Sequence, residues 1–323
     1  MKAYVAEAWC EPEELVLKDI PIPEITEDQV LIEIHATGVN FPDLLLIQGK
    51  YQARPKRPFV PGSEVSGIVV KVGSKVTRHK VGDRVNAACF LGGYAEFVVV
   101  PEQDVYSIPK TMSFEEAAGF IITYQSSYFA IVVRANLRKE ETLLVHAGAG
   151  GIGTSSIQIG KAIGAKVYAT AGSEEKRQIA TNAGADIVLD YNEANWSKKI
   201  RKELGGVDVV IDPVGGDIFD KSVLCTNFEG RIVVVGFTSG RIAEVATNML
   251  LLNNISVQGL FWNLYQKNHP ERIFKAVDQL NSWYEEGKLK PIIYKTYTLE
   301  DAPKAIRDVT GRKSYGKAIL KIR

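Results

Sequence analysis

Four glycines, Gly148, Gly150, Gly151 and Gly153, follow the apolar run Leu143-Leu144-Val145 and precede an amphipathic stretch from Thr154 to Ile163. Strand, tight turn and helix in that order give G-x-G-x-x-G its chemical meaning, a site for the pyrophosphate of a dinucleotide. Glycine at the first position permits the turn, at the second it lets backbone approach the phosphates, and at the third it lets helix pack on strand. The anion then meets unpaired N–H groups and the positive end of the helix dipole, here at Gly150, Gly151 and Ile152.

The next strand, Lys166 to Thr170, decides which dinucleotide. It ends in Ala171-Gly172-Ser173, with no acid at the turn. A free ribose 2′-hydroxyl usually finds Asp or Glu about 20 residues past the glycines. The missing carboxylate, with Lys176 and Arg177 a turn later, favours a 2′-phosphate and therefore NADPH. Glu174 and Glu175 are also close, in a first helical turn where acids complement the dipole.

Elements that could position this chemistry are readable on both sides. Val30 to Ala36, Ser66 to Val72 and Glu96 to Val100 alternate or cluster apolar residues as strands, with glycine and proline between them. A small β-rich unit is the expectation for the first hundred or so residues. At Ser113-Phe114-Glu115-Glu116 an N-cap with first-turn acids predicts a helix, and a second helix is expected over Tyr124 to Val133. Strands at Thr142–His146, Lys166–Thr170, Asp186–Leu189, Val207–Asp212 and Arg231–Gly236 then alternate with helices, among them Gly153–Ile163 and Glu174–Ala183. Ile255–Leu260 reads as one more strand. This is the pattern of an α/β doubly wound parallel sheet of Rossmann type, buried on both faces. Pro270 to Tyr284 reads as a helix and Tyr315 to Arg323 as strand-like. The β-rich tail predicts that the chain returns to the first domain: residues 1–122 with 264–323, around a cofactor domain at 123–263.

Composition excludes several function classes. Of 323 residues, 46% are hydrophobic and 24% charged, and the net charge of +1 gives no electrostatic footprint for nucleic acid or an anionic membrane. No apolar run is long enough to span a bilayer, and MKAYVAEAWC carries no signal-peptide core. Cys10, Cys89 and Cys225 are scattered, without a disulfide framework or metal knuckle, which suits a reducing cytoplasm.

Several collinear blocks carry a resemblance. They are ATGVNFPDLLLIQGKY (Ala36–Tyr51), PFVPGSEVSGIVVKVG (Pro58–Gly73), KVGDRV (Lys80–Val85), GGYAEFVVVP (Gly92–Pro101), the glycine loop and the Gly311–Leu320 tail. Together they resemble the medium-chain dehydrogenase/reductases, and within them the zeta-crystallin-like quinone oxidoreductases. The resemblance covers nearly the whole chain. It implies a GroES-like β-rich catalytic domain, a Rossmann cofactor domain and an active cleft between them.

Zinc-dependent members carry a catalytic Cys after G-V and a His after P-G, and those positions here are Asn40 and Ser63. Zinc takes thiolate, imidazole or carboxylate, so Glu64 alone cannot hold it. The four-cysteine structural lobe is absent after Cys89. Without zinc, no Lewis acid polarises the acceptor, which must already be electrophilic: a quinone or an activated alkene such as an enone or enal. Asn40 is the expected donor beside the nicotinamide, aimed at an oxygen that gains charge. Tyr51 and Tyr124 are candidate pocket walls or proton donors, with core packing the simpler alternative. By resemblance, Gly172, Ser173, Lys176 and Tyr191 surround the adenosine phosphate. Thr123, Phe237-Thr238 and Leu260-Phe261-Trp262 lie where the family holds the nicotinamide end. Leu45 stands where many quinone reductases have a pocket tyrosine, which favours a lipophilic acceptor.

Two other functions fit the same sequence. An enoyl-thioester reductase of the acryloyl-CoA type would use Lys50, Arg54, Lys56 and Arg57 for the phosphates of CoA. A non-catalytic NADPH-binding protein, as occurs among zeta-crystallins, would use the glycine loop alone. A homodimer is expected by family analogy, through the edge strand at residues 254–259.

Overall fold

The structure, a computed structural model, describes residues 1–323 and divides into two compact units. Met1–Ile122 with Pro291–Arg323 forms the first, and Thr123–Lys290 the second.

The first unit is built on a sheet of short, mostly antiparallel strands. Across it run Ile293–Thr298, Lys317–Lys321, Gln29–Val39, Glu64–Val72, Arg84–Ala88 and Val105–Ser107, and Phe97–Pro101 pairs with the first half of Gln29–Val39. Alternation along Gln29–Val39 sends Val30, Ile32 and Ile34 into a core with Val65, Val69, Val85, Val98 and Val100, all buried. The tail strand Lys317–Lys321 lies antiparallel to the far end of Gln29–Val39, with Ala318 opposite Val39 and Ile319 opposite Gly38. The chain therefore does return to its first unit.

It returns later than the sequence pattern implied, at residue 291 rather than 264. The helices Trp262–Asn268 and Pro270–Glu285 belong with the second unit. Tyr265 meets Phe129 in a tilted pair at 4.5 Å and Trp283 meets Tyr128 at 6.1 Å between ring centroids. Gln158 Nε2 donates to the Lys290 carbonyl at 2.8 Å, which ties the end of this segment to the helix behind the glycine turn.

The second unit holds six parallel strands in the order Ile187–Asp190, Lys166–Ala171, Thr142–Val145, Val207–Asp212, Thr226–Val234 and Ser256–Gly259. Thr142–Val145 and Val207–Asp212 are neighbours although two strands and three crossovers lie between them in sequence, so the strand order reverses there. Ligands of such sheets bind outside the carboxyl ends of the strands at that reversal. The strand expected at Arg231–Gly236 begins at Thr226 instead. A bulge explains the difference: pairing slips between Val207 and Val209, and Glu229 takes a left-handed φ of 59°. The helix expected over Tyr124–Val133 is α-helical only for Ile121–Tyr128. It then widens into a π turn over Phe129–Arg134, with the Ala135 N–H reaching back to the Ala130 carbonyl. Ser256–Gly259 is the sheet's edge, where edge pairing was expected, and Leu251 and Leu252 before it are exposed. No helix is long and apolar enough to cross a membrane.

Candidate active site

In the second unit, the glycine turn connects Thr142–Val145 to the helix Gly151–Ile163, and Gly150 is its N-cap residue. The left-handed residue of the turn is Ala147, at φ 50°, rather than the first glycine. Gly148 is glycine for closeness instead. A Cβ there would lie 2.8 Å from Ala169 Cβ and 3.2 Å from Ala180 Cβ. Gly153 has less room still, because its Cβ would fall 2.2 Å from the Ala147 carbonyl oxygen. The turn is closed by Gly150 N–H to Ala147 O and by Gly148 N–H to Thr170 O, both 2.8 Å. Helix, turn and two strands are thus closely packed, with the N-terminus of the helix at the end of the strand Thr142–Val145.

The residues expected on the adenosine side lie together at the end of Lys166–Ala171. Gly172 faces the Tyr191 ring so closely that a Cβ would meet its hydroxyl at 2.4 Å. Asn192 Nδ2 donates to the Gly172 carbonyl at 3.0 Å. Ser173 caps the helix Glu174–Asn182, its hydroxyl accepting the Lys176 backbone N–H. Two carboxylates near this turn are already paired, since Arg177 holds Glu174 at 2.7 Å and Asp190 at 2.6 Å. Arg177 is therefore committed to acids, unlike a cation reserved for a phosphate.

The segments expected at the nicotinamide end follow the strands Thr226–Val234 and Ser256–Gly259. Thr238 binds the Pro213 carbonyl through both its N–H (3.1 Å) and its hydroxyl (3.0 Å). Leu260 N–H reaches the Val234 carbonyl at 3.0 Å, Phe237 and Phe261 are exposed, and Trp262 is buried. Thr123 opens the second unit, and its carbonyl accepts from Ser155 Oγ at 3.2 Å. Tyr124 is 2% exposed, and its hydroxyl donates to Gln158 Oε1 at 2.7 Å.

In the first unit, Asn40 ends the strand Gln29–Val39 and precedes the helix Phe41–Ile47. Its Nδ2 donates to Glu64 Oε1 at 2.8 Å, and its Oδ1 accepts from Lys317 Nζ at 2.7 Å. Lys317 and Glu64 are themselves paired at 2.6 Å, with side chains 6% and 0% exposed. Register explains the meeting. Antiparallel neighbours bring the end of Gln29–Val39 beside the starts of both Glu64–Val72 and Lys317–Lys321. Tyr51 is half-buried against the neighbouring core, its N–H fixed to the Leu45 carbonyl at 3.1 Å.

Sequence reasoning passed over two members of this cluster, Lys317 and Asp43. Asp43 is 1% exposed, and its Oδ2 accepts from the Asn40 N–H and the Tyr94 hydroxyl, both at 2.8 Å. Burial pushes its carboxyl up to about 6, with Glu64 adding to the rise and the two hydrogen bonds and Lys317 opposing it. A carboxyl raised by folding contributes stability that is intact below about pH 4 and lost as pH rises through the folded value. The thermal stability of wild type relative to Asp43→Asn is therefore expected to fall between roughly pH 4 and 7, as unfolding curves at a series of pH values would read. A constant difference across that range would mean that Asp43 is ionised throughout.

Asn40 and Ser63 offer an amide and a hydroxyl, Glu64 is bound to a lysine, and no three His, Cys, Asp or Glu side chains converge to hold an ion. A zinc ion does not fit these residues.

The description "Alcohol dehydrogenase GroES-like domain" matches residues 26–110, and "Zinc-binding dehydrogenase" matches residues 151–282. Quinone oxidoreductase-like protein 2 of Bos taurus is 38% identical over 96% of this chain and 89% of its own length. Quinone oxidoreductase of Homo sapiens is 34% identical over 96% of this chain and 94% of its own. The crystal structure of Escherichia coli quinone oxidoreductase complexed with NADPH superposes with a TM-score of 0.92 at 30% identity, covering all of both chains. The chain belongs to the quinone oxidoreductases of the medium-chain dehydrogenase/reductase superfamily.

Proposed function

We propose that the protein is an NADPH-dependent oxidoreductase that reduces a quinone or an enone without a metal ion. The observation that carries this reading is Asn40, an amide clamped between a buried lysine and a buried glutamate where zinc-dependent relatives place a metal ligand. Bound NADPH supplies a hydride, and the protein supplies position and electrostatics. The cradle at Gly150, Gly151 and Ile152 receives the pyrophosphate at a helix N-terminus. Gly172, Ser173, Lys176 and Tyr191 surround the 2′-phosphate, where a carboxylate would repel it. Thr123, Phe237, Thr238, Leu260, Phe261 and Trp262 frame the nicotinamide end. Asn40 donates an N–H to the acceptor oxygen as charge builds there, and Tyr51 walls the acceptor pocket. The named relatives and the NADPH complex of the Escherichia coli protein support the cofactor and the reaction class.

A second reading has its own observation. Between Asp43 and Glu64 the chain carries Lys50, Arg54, Lys56 and Arg57 and no acid, and all four cations are exposed. This loop would suit the phosphates of an enoyl-CoA thioester. NADPH oxidation with 9,10-phenanthrenequinone, an enone and acryloyl-CoA in parallel separates the readings. Turnover of the quinone or enone supports the first and preference for the thioester supports the second, whereas no turnover of any acceptor rejects both. In the same assay, Lys176→Ala is expected to raise the KM for NADPH about tenfold and leave that for NADH nearly unchanged. An equal effect on both cofactors would remove the phosphate role.

A further inference from the structure

We propose that Lys317 and Glu64 are positioning residues of this reaction, which lock the Asn40 amide so that an N–H, and not its carbonyl, is presented to the acceptor. The inference rests on the reading of Asn40 as the acceptor's hydrogen-bond donor. A primary amide has two nearly isosteric ends, and its orientation is set by its partners. An ammonium can only donate, so the atom held 2.7 Å from Lys317 Nζ is Oδ1. An ionised carboxylate can only accept, so the atom held 2.8 Å from Glu64 Oε1 is Nδ2. Each contact alone dictates the orientation, and the two agree.

The lock is itself held rigidly. Lys317 spends its donors on the Val39 carbonyl (3.1 Å), Asn40 Oδ1 and Glu64 Oε1 (2.6 Å). Glu64 Oε2 is taken by the Ile122 N–H at 3.0 Å. Two glycines clear the space, since a Cβ on Gly38 would lie 2.3 Å from Glu64 Oε1 and one on Gly119 would press Lys317 Cβ at 3.2 Å. After these bonds, Asn40 Nδ2 retains a second N–H, and Asn40 is only partly buried. The ammonium on Oδ1 draws electron density from the amide and strengthens that remaining donor, as hydrogen bonds in a chain polarise one another. Stability alone is a poor explanation for the pair. Apolar residues of similar volume generally serve a core as well as a buried ion pair does or better.

The test compares Lys317→Met, the double variant Lys317→Met/Glu64→Gln, and Asn40→Ala, assayed for NADPH oxidation with the best acceptor of the panel. The single methionine variant strands a buried carboxylate and is expected to unfold at lower temperature. The double variant removes both charges and is expected to recover thermal stability. The glutamine amide introduced in it offers both a donor and an acceptor, so Asn40 can pair either way round and the lock is open. Both variants are expected to lose kcat by about tenfold or more with the KM for NADPH within about twofold of wild type. A double variant that regains wild-type kcat along with its stability would reduce the pair to a structural role and overturn the proposal. The same holds for a folded Lys317→Met protein with undiminished kcat. Failure of the underlying reading looks different: Asn40→Ala itself would then keep wild-type kcat.

Discussion

Replacing Asn40 by alanine is expected to lower kcat by about two to three orders of magnitude while the KM for NADPH stays within about twofold of wild type. The argument follows from where the side chain sits. Its carbonyl and one N–H are consumed by Lys317 and Glu64, and the other N–H remains on a partly buried amide with no metal ligand set beside it. Removing an oriented donor in a site of this kind forfeits stabilisation that exists only once negative charge develops on the acceptor oxygen, so the loss falls on kcat. Folding should be little affected, because Lys317 and Glu64 remain paired with each other. Asn40→Asp is expected to be equally slow, since an ionised carboxylate accepts hydrogen bonds and cannot donate them. Steady-state kinetics at saturating NADPH would read both. An unchanged kcat with a raised KM for the acceptor would make Asn40 a binding group only.

Gly153→Ala is the second large effect expected, and it acts through the cradle proposed for the cofactor. The added methyl would lie 2.2 Å from the Ala147 carbonyl oxygen and 2.7 Å from Gly148 backbone atoms. Both obstacles are main chain and cannot swing aside as a flexible side chain could. The turn and the helix Gly151–Ile163 must therefore move apart, which displaces the N–H groups proposed for the pyrophosphate. NADPH affinity is expected to fall by about tenfold or more and stability by about 1–3 kcal/mol. Titration calorimetry and thermal unfolding would measure the two. Wild-type values for both would show that the close approach at Gly153 is unimportant. Gly172→Ala makes a useful contrast, because there the clash is with the end of the Tyr191 side chain, which can rotate.

How much of this was legible in the sequence depends on whether the signal was local. The glycine turn, the alternation of strands and helices from Thr142 onward and the carboxylate-free end of Lys166–Ala171 are all written within a few residues. The structure has them where the pattern put them, within a residue or two for most strands. The Ser113 cap was equally plain, and its hydroxyl does accept the Glu116 N–H. Short strands such as Arg84–Ala88 and Val105–Ser107 escaped, because three to five residues carry too little periodicity. The helix Pro270–Glu285 was visible but not its allegiance, since amphipathicity reports a buried face and not what buries it.

Within the site, Asn40 could be singled out from its place after Gly38-Val39, whereas Lys317 could not. It sits at the start of an apolar tail strand, and nothing near it in sequence says that its partner is a glutamate 253 residues away. Its burial is decided by strand register, which brings Ala318 opposite Val39. Asp43 was hidden in another way. A first-turn acid is ordinarily a capping residue at the surface, and only the Tyr94 hydroxyl, 51 residues away, shows that this one points inward.

The late return of the chain has a consequence for biogenesis. A ribosome makes residues 1–122 first, then the whole of the second unit, and only afterwards the strands Ile293–Thr298 and Lys317–Lys321. Until that moment Glu64 waits without its cation, and residues 36–39 form a bare β edge on a half-built domain. The parallel-sheet unit has all of its strands before translation reaches residue 291, so the nascent protein can acquire its nucleotide fold first. The Asn40 amide, held by Lys317, would be set in place only once this last strand is made.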